Sequence, residues 1–362
     1  MNGIEPLYHL KENTIQFVSC MKSSTVDGYY RYSYSGDLYD EKTHWNPASS
    51  VFAIKIYYTL GLEDNCDIDA AANYIKTFQH KNGWIYDDIV FRKPIFRNAI
   101  ASLRHGNFSN LLNKNYKRAE TRQCCSALML YDKLPESVCL FVPRNEEQVR
   151  SYLSSLAWSQ PWDAASHFSH LMFFLALALK TGRMEPQTFE RLAGFAVEWT
   201  NRLQHSQDGC WYMGEPSLRQ KINGAMKVIT GLIAVDMVDF DCPEKLIDLC
   251  LGSVNDQDAC DNFNIIFVLN YAAKLLGRNY RQAEIEKFAL HRLDTYWKHY
   301  HDDKNGFSFY PHRANDVYYG ARITRALNEP DIHGTALFLW GISIIVQLLG
   351  IEKEFDFREY RT

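Results

Sequence analysis

The chain has no Cys-x-x-Cys pair, no Pro/Gly/Ser-rich or low-complexity stretch, and no convincing strand-like alternation. Each lack excludes something. Its nine cysteines are an odd number at no scaffold-like spacing, so they read as reduced thiols of a cytoplasmic protein. No run of about eighteen uncharged apolar residues is present, so no membrane span is expected. Phe173 to Leu179 is apolar, but Lys180 and Gly182 follow. The first residues lack a basic stretch followed by an apolar one, so no secretory signal is expected. A surplus of one charge is lacking too. The formal net charge of −4 over 362 residues offers no basic field for nucleic acid. With no linker to divide it, residues 1–362 read as a single domain.

What is present is apolar, aromatic and helical. Hydrophobic residues make up 46% and aromatics 14%, which suits large helix–helix contacts or an aromatic-lined cavity. Periodicity predicts helices over Pro6–Met21, Ala48–Leu60, Ile68–His80, Pro94–Leu112 and Tyr116–Leu130. It predicts more from Asn145, a cap, to Trp158, then to about Thr181, and from Glu185-Pro186 onward. Ser217–Val238, Cys242–Leu251, Asp258–Gly277, Arg281–Tyr300 and Ile332–Leu349 complete the set, roughly a dozen helices. Thr25–Pro47, with five Tyr, reads as an irregular loop that is functional or packed over a mouth. Tyr310–Pro330 reads as a second loop. Helices alternate in character, amphipathic then apolar. An apolar helix must be enclosed and an amphipathic one can face water. The expected fold is therefore all-α, with an inner and an outer set of helices.

The stretch Pro161-Trp-Asp163-Ala-Ala-Ser-His167-Phe-Ser-His170, running on into an apolar helix, organises the candidate site. Asp163 stands where a cap belongs, and Asp163, His167 and His170 fall on one helical stripe at i, i+4 and i+7. Imidazole titrates near neutrality, so both histidines are candidate acid/base groups, with carbonyl-bonded core histidines as the plain alternative. Asp258-Ala-Cys260-Asp261-Asn262 and Asp331-Ile-His333-Gly-Thr335 open later apolar helices in the same way, and Asn223 begins a weaker copy. Polar groups at several inner-helix starts imply one polar-mouthed cavity. Asp163, His167, His170, Asp261, Asp331 and His333 are the candidate catalytic residues. Trp162, Trp211, Tyr212 and Tyr319 are candidate aromatic walls, with core packing as the alternative. Arg313 and Arg322, in a loop that also holds His312 and Arg325, are candidate anion contacts or simply solvated charges.

Three turns recur: Gln79…Gly83-Trp84, Gln204…Gly209…Trp211 and Asp302…Gly306-Phe307. They resemble the Gln-x-x-x-Gly-x-Trp repeats of squalene and terpenoid cyclases and, in looser form, of protein prenyltransferase β-subunits. The resemblance implies an α/α toroid, a barrel of inner and outer helices with its active site at the mouth of the inner ring. It also implies a zinc site. Prenyltransferases hold zinc through an Asp-x-Cys at one inner helix and a His at a later one, a pattern that Asp258, Cys260 and His333 match. The family's basic residues before that motif are missing from Gly252–Gln257, as are the Gly-Gly-Phe signature and the cyclases' Asp-x-Asp-Asp acid.

The expectation is an enzyme, terpenoid-cyclase- or prenyltransferase-like, using acid/base or zinc-assisted chemistry on a small-molecule substrate. Prenyl transfer to protein would need a second subunit. The alternatives are a carbohydrate-active toroid enzyme (glycoside hydrolase, polysaccharide lyase or epimerase) acting on an oligosaccharide, and a non-catalytic binding toroid.

Overall fold

A computed structural model describes residues 3–62, 66–92, 100, 114–138 and 140–361. The helix expected over Pro94–Leu112 lies outside the described residues, Ile100 apart. The described chain is mostly helical, with fourteen helices and only two-residue strands. No helix among them is long and apolar enough to cross a membrane. The helices are α1 (Leu7–Met21), α2 (Pro47–Thr59), α3 (Cys66–Lys76), α4 (Asp88–Arg92), α5 (Lys114–Met129), α6 (Glu146–Ser154) and α7 (Pro161–Lys180). Then come α8 (Pro186–Asn201), α9 (Leu218–Ala234), α10 (Pro243–Leu251), α11 (Ala259–Leu275), α12 (Gln282–Trp297), α13 (Ile332–Leu348) and α14 (Glu352–Phe355).

The chain divides into two compact units. The first holds Met1–Cys139, Leu293–Val346 and Gly350–Tyr360, and the second holds Leu140–Arg292, Gln347–Leu349 and Arg361–Thr362.

In the second unit the alternation of helix types is plain. Helices α7, α9 and α11 are buried along most of their length. Helix α8 buries one stripe, Phe189, Leu192, Ala193, Ala196 and Thr200. Helix α9 packs on α7 at two glycines one heptad apart. A Cβ on Gly231 would stand 2.7 Å from the Phe168 ring, and one on Gly224 would stand 2.8 Å from Pro161. Small residues there let the two backbones approach closely. Caps set the helix starts. Asn145 accepts the Gln148 amide at 2.9 Å, and Asp258 accepts the Asp261 amide at 3.0 Å. Two expectations shift. The cap residue of α7 is Gln160, without a side-chain bond, so Asp163 sits inside the first turn. Asn223 lies in the second turn of α9, which starts at Leu218 behind the Ser217 cap.

In the first unit, α2 packs on α3 and α5. The loop before α2 is ordered by burial: Tyr29, Tyr30, Tyr32 and Trp45 are all fully buried. The segment Tyr310–Pro330 is not wholly irregular. It contains a hairpin, β3 (Val317–Tyr318) with β4 (Ala321–Arg322), turned at Tyr319 and Gly320. Both turn residues have positive φ, 44° and 84°, as a tight two-residue hairpin requires. Strands β1 (Tyr300–His301) and β2 (Gly306–Phe307) form the third of the recurring turns.

The first two of those turns share one geometry. In the first unit the His80 amide donates to Trp84 O (2.7 Å), and the Gly83 amide donates to His80 O (2.8 Å). The His80 ring stacks on Tyr86 at 3.8 Å, with Nε2 at 3.2 Å from the Tyr86 carbonyl. In the second unit His205, Gly209 and Tyr212 repeat this, with the stack again at 3.8 Å and Nε2 at 3.1 Å from Tyr212 O. Gly83 and Gly209 both hold left-handed φ, 82° and 73°. A lysine from a later helix covers each tyrosine: Lys117 lies 4.6 Å from the Tyr86 ring and Lys221 lies 4.3 Å from Tyr212.

Candidate functional site

The polar groups of the first unit gather at the start of α13. Asp331 precedes that helix and accepts three amides, from Gly334 (2.8 Å), Phe309 (2.7 Å) and Asn315 (3.0 Å). Burial pushes its carboxyl up to about 6, against the pull of those amides. Asp331 is fully buried, so it acts as the knot that ties the 307–315 segment to the helix.

Two residues on, His333 lies half-buried with its Nδ1 at 2.8 Å from the Tyr32 hydroxyl. Asn315 Nδ2 donates to that same hydroxyl at 2.9 Å. The Tyr32 hydroxyl thus bridges Asn315 and His333. The ring stacks on Phe52 at 4.2 Å, and Phe309 stands at 4.9 Å and Tyr318 at 6.4 Å. Three elements thus orient one imidazole: the 22–46 loop through Tyr32, α2 through Phe52, and α13 itself.

The strongest group here was not expected from the sequence. Glu120, on α5, is fully buried, and the Tyr318 hydroxyl donates to its Oε2 at 2.7 Å. Its other oxygen, Oε1, has no hydrogen-bond partner. Burial raises its pKa to about 8. The Tyr318 bond opposes the shift, the Asp87 charge adds to it, and Lys55 opposes it. A carboxyl in that state carries its proton at neutral pH. The Tyr318 ring lies 6.1 Å from Tyr32 and 4.7 Å from Tyr319, so Glu120 and His333 border one aromatic cluster. The sequence did hold a signal. Tyr116, Glu120, Cys124 and Leu128 fall at i, i+4, i+8 and i+12, so a carboxylate interrupts an otherwise apolar stripe. Tyr319 packs against Tyr116 at 5.1 Å.

Arg313 and Arg322 both turn towards Asp316, at 2.9 Å and 4.0 Å, and Arg313 also covers Tyr310. Arg325 is exposed. Arg313 and Arg322 thus share an acid of their own loop.

The second unit assembles a different network. Arg219 donates through Nε to both oxygens of Asp261 (3.0 and 2.8 Å) and through Nη2 to Asp258 (2.9 Å). Asn223 Nδ2 donates to Asp261 at 2.7 Å, and the Asn223 carbonyl accepts from Asn255 and Asn264. Asp261 is fully buried and satisfied on every side, which makes it a structural ion pair. Trp162 lies half-buried under the Arg219 guanidinium at 5.1 Å. Asp163 is exposed, His170 half-buried and His167 buried with its Nδ1 at 2.9 Å from the Tyr152 hydroxyl. The expected stripe is therefore split between solvent and core. Trp211 is a core residue, its indole donating to Asn201 at 3.1 Å. Tyr212 belongs to the stacked turn and donates to Asp208 at 3.1 Å.

The residues do not fit the zinc set implied by the resemblance. Asp258 already accepts Arg219 and the Asp261 amide, and burial pushes its carboxyl up, with Asp261 adding to the shift. Burial also pushes the Cys260 thiol up, with Asp258 adding to the shift. His333 Nδ1 is engaged by the Tyr32 hydroxyl. Among the described residues no group of three or more His, Cys, Asp or Glu is gathered to hold a metal ion.

Comparison of the chain with protein-family models, with curated proteins and with solved structures finds no match.

Proposed function

We propose that the chain is an α/α-toroid enzyme working by acid–base chemistry, terpenoid-cyclase-like in that a protonated carboxyl opens the reaction. The observation that carries this reading is Glu120: a fully buried carboxyl, held protonated at neutral pH, whose partner Tyr318 stands beside His333. An acid of that pKa gives up a proton without first having to take one from solvent. His333, its Nδ1 set by Tyr32, is the base that receives a proton at the end of the sequence. Phe52, Phe309, Tyr32 and Tyr318 supply ring faces that stabilise cationic character in a bound intermediate. The repeated His–Tyr turns and the alternation of enclosed and amphipathic helices support the toroid. The eight described cysteines are free thiols, which supports a cytoplasmic setting.

A carbohydrate-active enzyme is the second reading, and one observation favours it. A carboxyl raised by burial is also the general acid of glycoside cleavage. One experiment decides. The full chain is incubated with isoprenoid olefins and epoxides and, separately, with neutral and acidic oligosaccharides, and products are followed by mass spectrometry. Conversion of an isoprenoid, lost in both Glu120→Gln and His333→Gln and kept in Asp163→Asn, supports the first reading. Conversion of oligosaccharides alone moves the assignment to the second. Equal turnover in Glu120→Gln and wild type removes Glu120 from the chemistry and defeats both.

A further inference from the structure

Asn315 stands just before the β3–β4 hairpin, and its neighbours in sequence and in space use every polar atom it has. Its side-chain Oδ1 accepts the Val317 amide two residues on, at 3.3 Å, as asparagine does in turns. Its amide donates to Asp331 Oδ2 at 3.0 Å, and its carbonyl accepts the Thr324 hydroxyl at 2.7 Å. The remaining group, Nδ2, donates to the Tyr32 hydroxyl at 2.9 Å. Asn315 is 4% exposed, so these bonds are made away from water, where a polar group left unpaired is costly. Tyr32 is fixed along its whole length. Its amide donates to Asp37 Oδ1 at 2.7 Å, its carbonyl accepts the Ile332 amide at 2.9 Å, and its hydroxyl meets His333 Nδ1 at 2.8 Å. Asp331 accepts the Gly334 amide at 2.8 Å as well, so one carboxylate holds both Asn315 and the first turn of the helix that carries His333.

We propose that Asn315 is a positioning residue for His333, holding the Tyr32 hydroxyl against the imidazole. A phenol hydroxyl can rotate about its C–O bond and turn away from a neighbour, and an amide donor anchored to its oxygen restricts that rotation. The anchor is itself fixed in sense. An Asn315 side chain turned end for end would present Oδ1 to Tyr32 and Nδ2 to the Val317 amide, two donors facing each other. The titratable groups at this imidazole are Tyr32 from the loop before α2, Tyr318 from β3 with its ring at 6.4 Å, and Asp331 at the start of α13. Asn315 bonds to the first and the last of these, which is why its effect on His333 is expected to run through them. The inference rests on the reading of His333 as the base and names what orders that base. Its test needs no substrate, so it fails separately from that reading.

The full chain is labelled with nitrogen-15 histidine, and the His333 ring signals, assigned by their loss in His333→Gln, are followed by NMR as pH is varied. Tyr32→Phe, which removes only the hydroxyl, is expected to move the His333 midpoint by about half a pH unit or more, the size a net hydrogen bond carries. Asn315→Ala keeps the main-chain bonds to Asp331 and Thr324, and it is expected to move the midpoint in the same direction by a similar or smaller amount. Asn315→Leu, close to asparagine in volume, is expected to do the same and serves if the alanine variant does not fold. In the Tyr32→Phe background neither change at Asn315 is expected to move the midpoint further. Ser35→Ala cuts a 2.7 Å bond to Glu329 elsewhere in the same loop, and it is expected to leave the midpoint in place. A His333 signal that none of the Tyr32 and Asn315 variants moves overturns the inference. So does an Asn315 effect that persists undiminished without the Tyr32 hydroxyl, or an equal shift in Ser35→Ala, which would mark general loosening of the loop.

Discussion

Glu120 decides most at the residue scale. Its carboxyl titrates at about 8 when folded, well above the ordinary glutamate range, so the folded state holds a proton that the unfolded chain gives up earlier. Below the unfolded pKa both states are protonated and Glu120 contributes no slope. Between about 4.5 and 8 only the folded state keeps the proton, so stability falls as pH rises, by up to about 1.4 kcal/mol per pH unit from this group. Above that window the slope vanishes again. Asp331, up at about 6, adds a fall of the same sign that ends near pH 6. Glu120→Gln is therefore expected to flatten the wild-type curve between pH 6 and 8. Urea denaturation across that range measures it. Identical slopes in the two proteins would mean that Glu120 is ionised in the folded state, and the proton donor would have to be sought elsewhere.

At the scale of elements, the close packing of α7 and α9 is the sharpest feature. Gly231 faces Phe168 so closely that a methyl group would overlap the ring edge. Gly231→Ala is expected to cost about 1–3 kcal/mol, the usual range for overpacking. Phe168→Leu in the same background is expected to recover part of that loss, because the offending edge is removed. A double-mutant cycle by chemical denaturation reads the coupling, and additive costs would show that the helices separate elsewhere to make room. This scale also shows what could be read from the sequence. The apolar helices announced themselves, because long runs such as Phe168–Leu179 and Ile332–Leu348 have no polar face to turn outward. Asn145 and Asp258 were legible as caps because local chemistry alone fixes them. His333 and Asp331 were legible as polar groups at a helix start. What each does was not, because their partners, Tyr32 and Asn315, come from distant chain positions that no periodicity connects. The partners of Asp261 were hidden for the same reason. Asp261 reads as one of several polar groups on a helix's first turn, and only tertiary structure brings Arg219 and Asn223 to it. Glu120 was hidden among Arg118, Thr121 and Arg122, which make α5 look like a solvated helix.

At the scale of the whole molecule, the two units carry the same small device. In each, a histidine stacks on a tyrosine across a glycine turn, and a lysine from a later helix covers the ring. The likeness extends to the backbone, since both imidazoles meet the carbonyl of the tyrosine they stack on. Such agreement between two segments 125 positions apart (His80 and His205) is what an internally repeated architecture produces. Its energetic content is testable. Lys117→Met keeps the aliphatic cover over Tyr86 and Phe91 and removes only the charge, at an expected cost of about 0.5–1 kcal/mol. Lys221→Met also removes an ion pair with Asp208 at 2.8 Å, and a cost of about 1 kcal/mol is expected, because that pair is partly exposed. The two lysines share none of these partners, so the double variant is expected to lose the sum within about 0.5 kcal/mol. Urea melts of the two single variants and the double one measure this. A coupling well beyond that margin would show that the two turns are one cooperative feature, and the repeat would then have to be explained by what joins them.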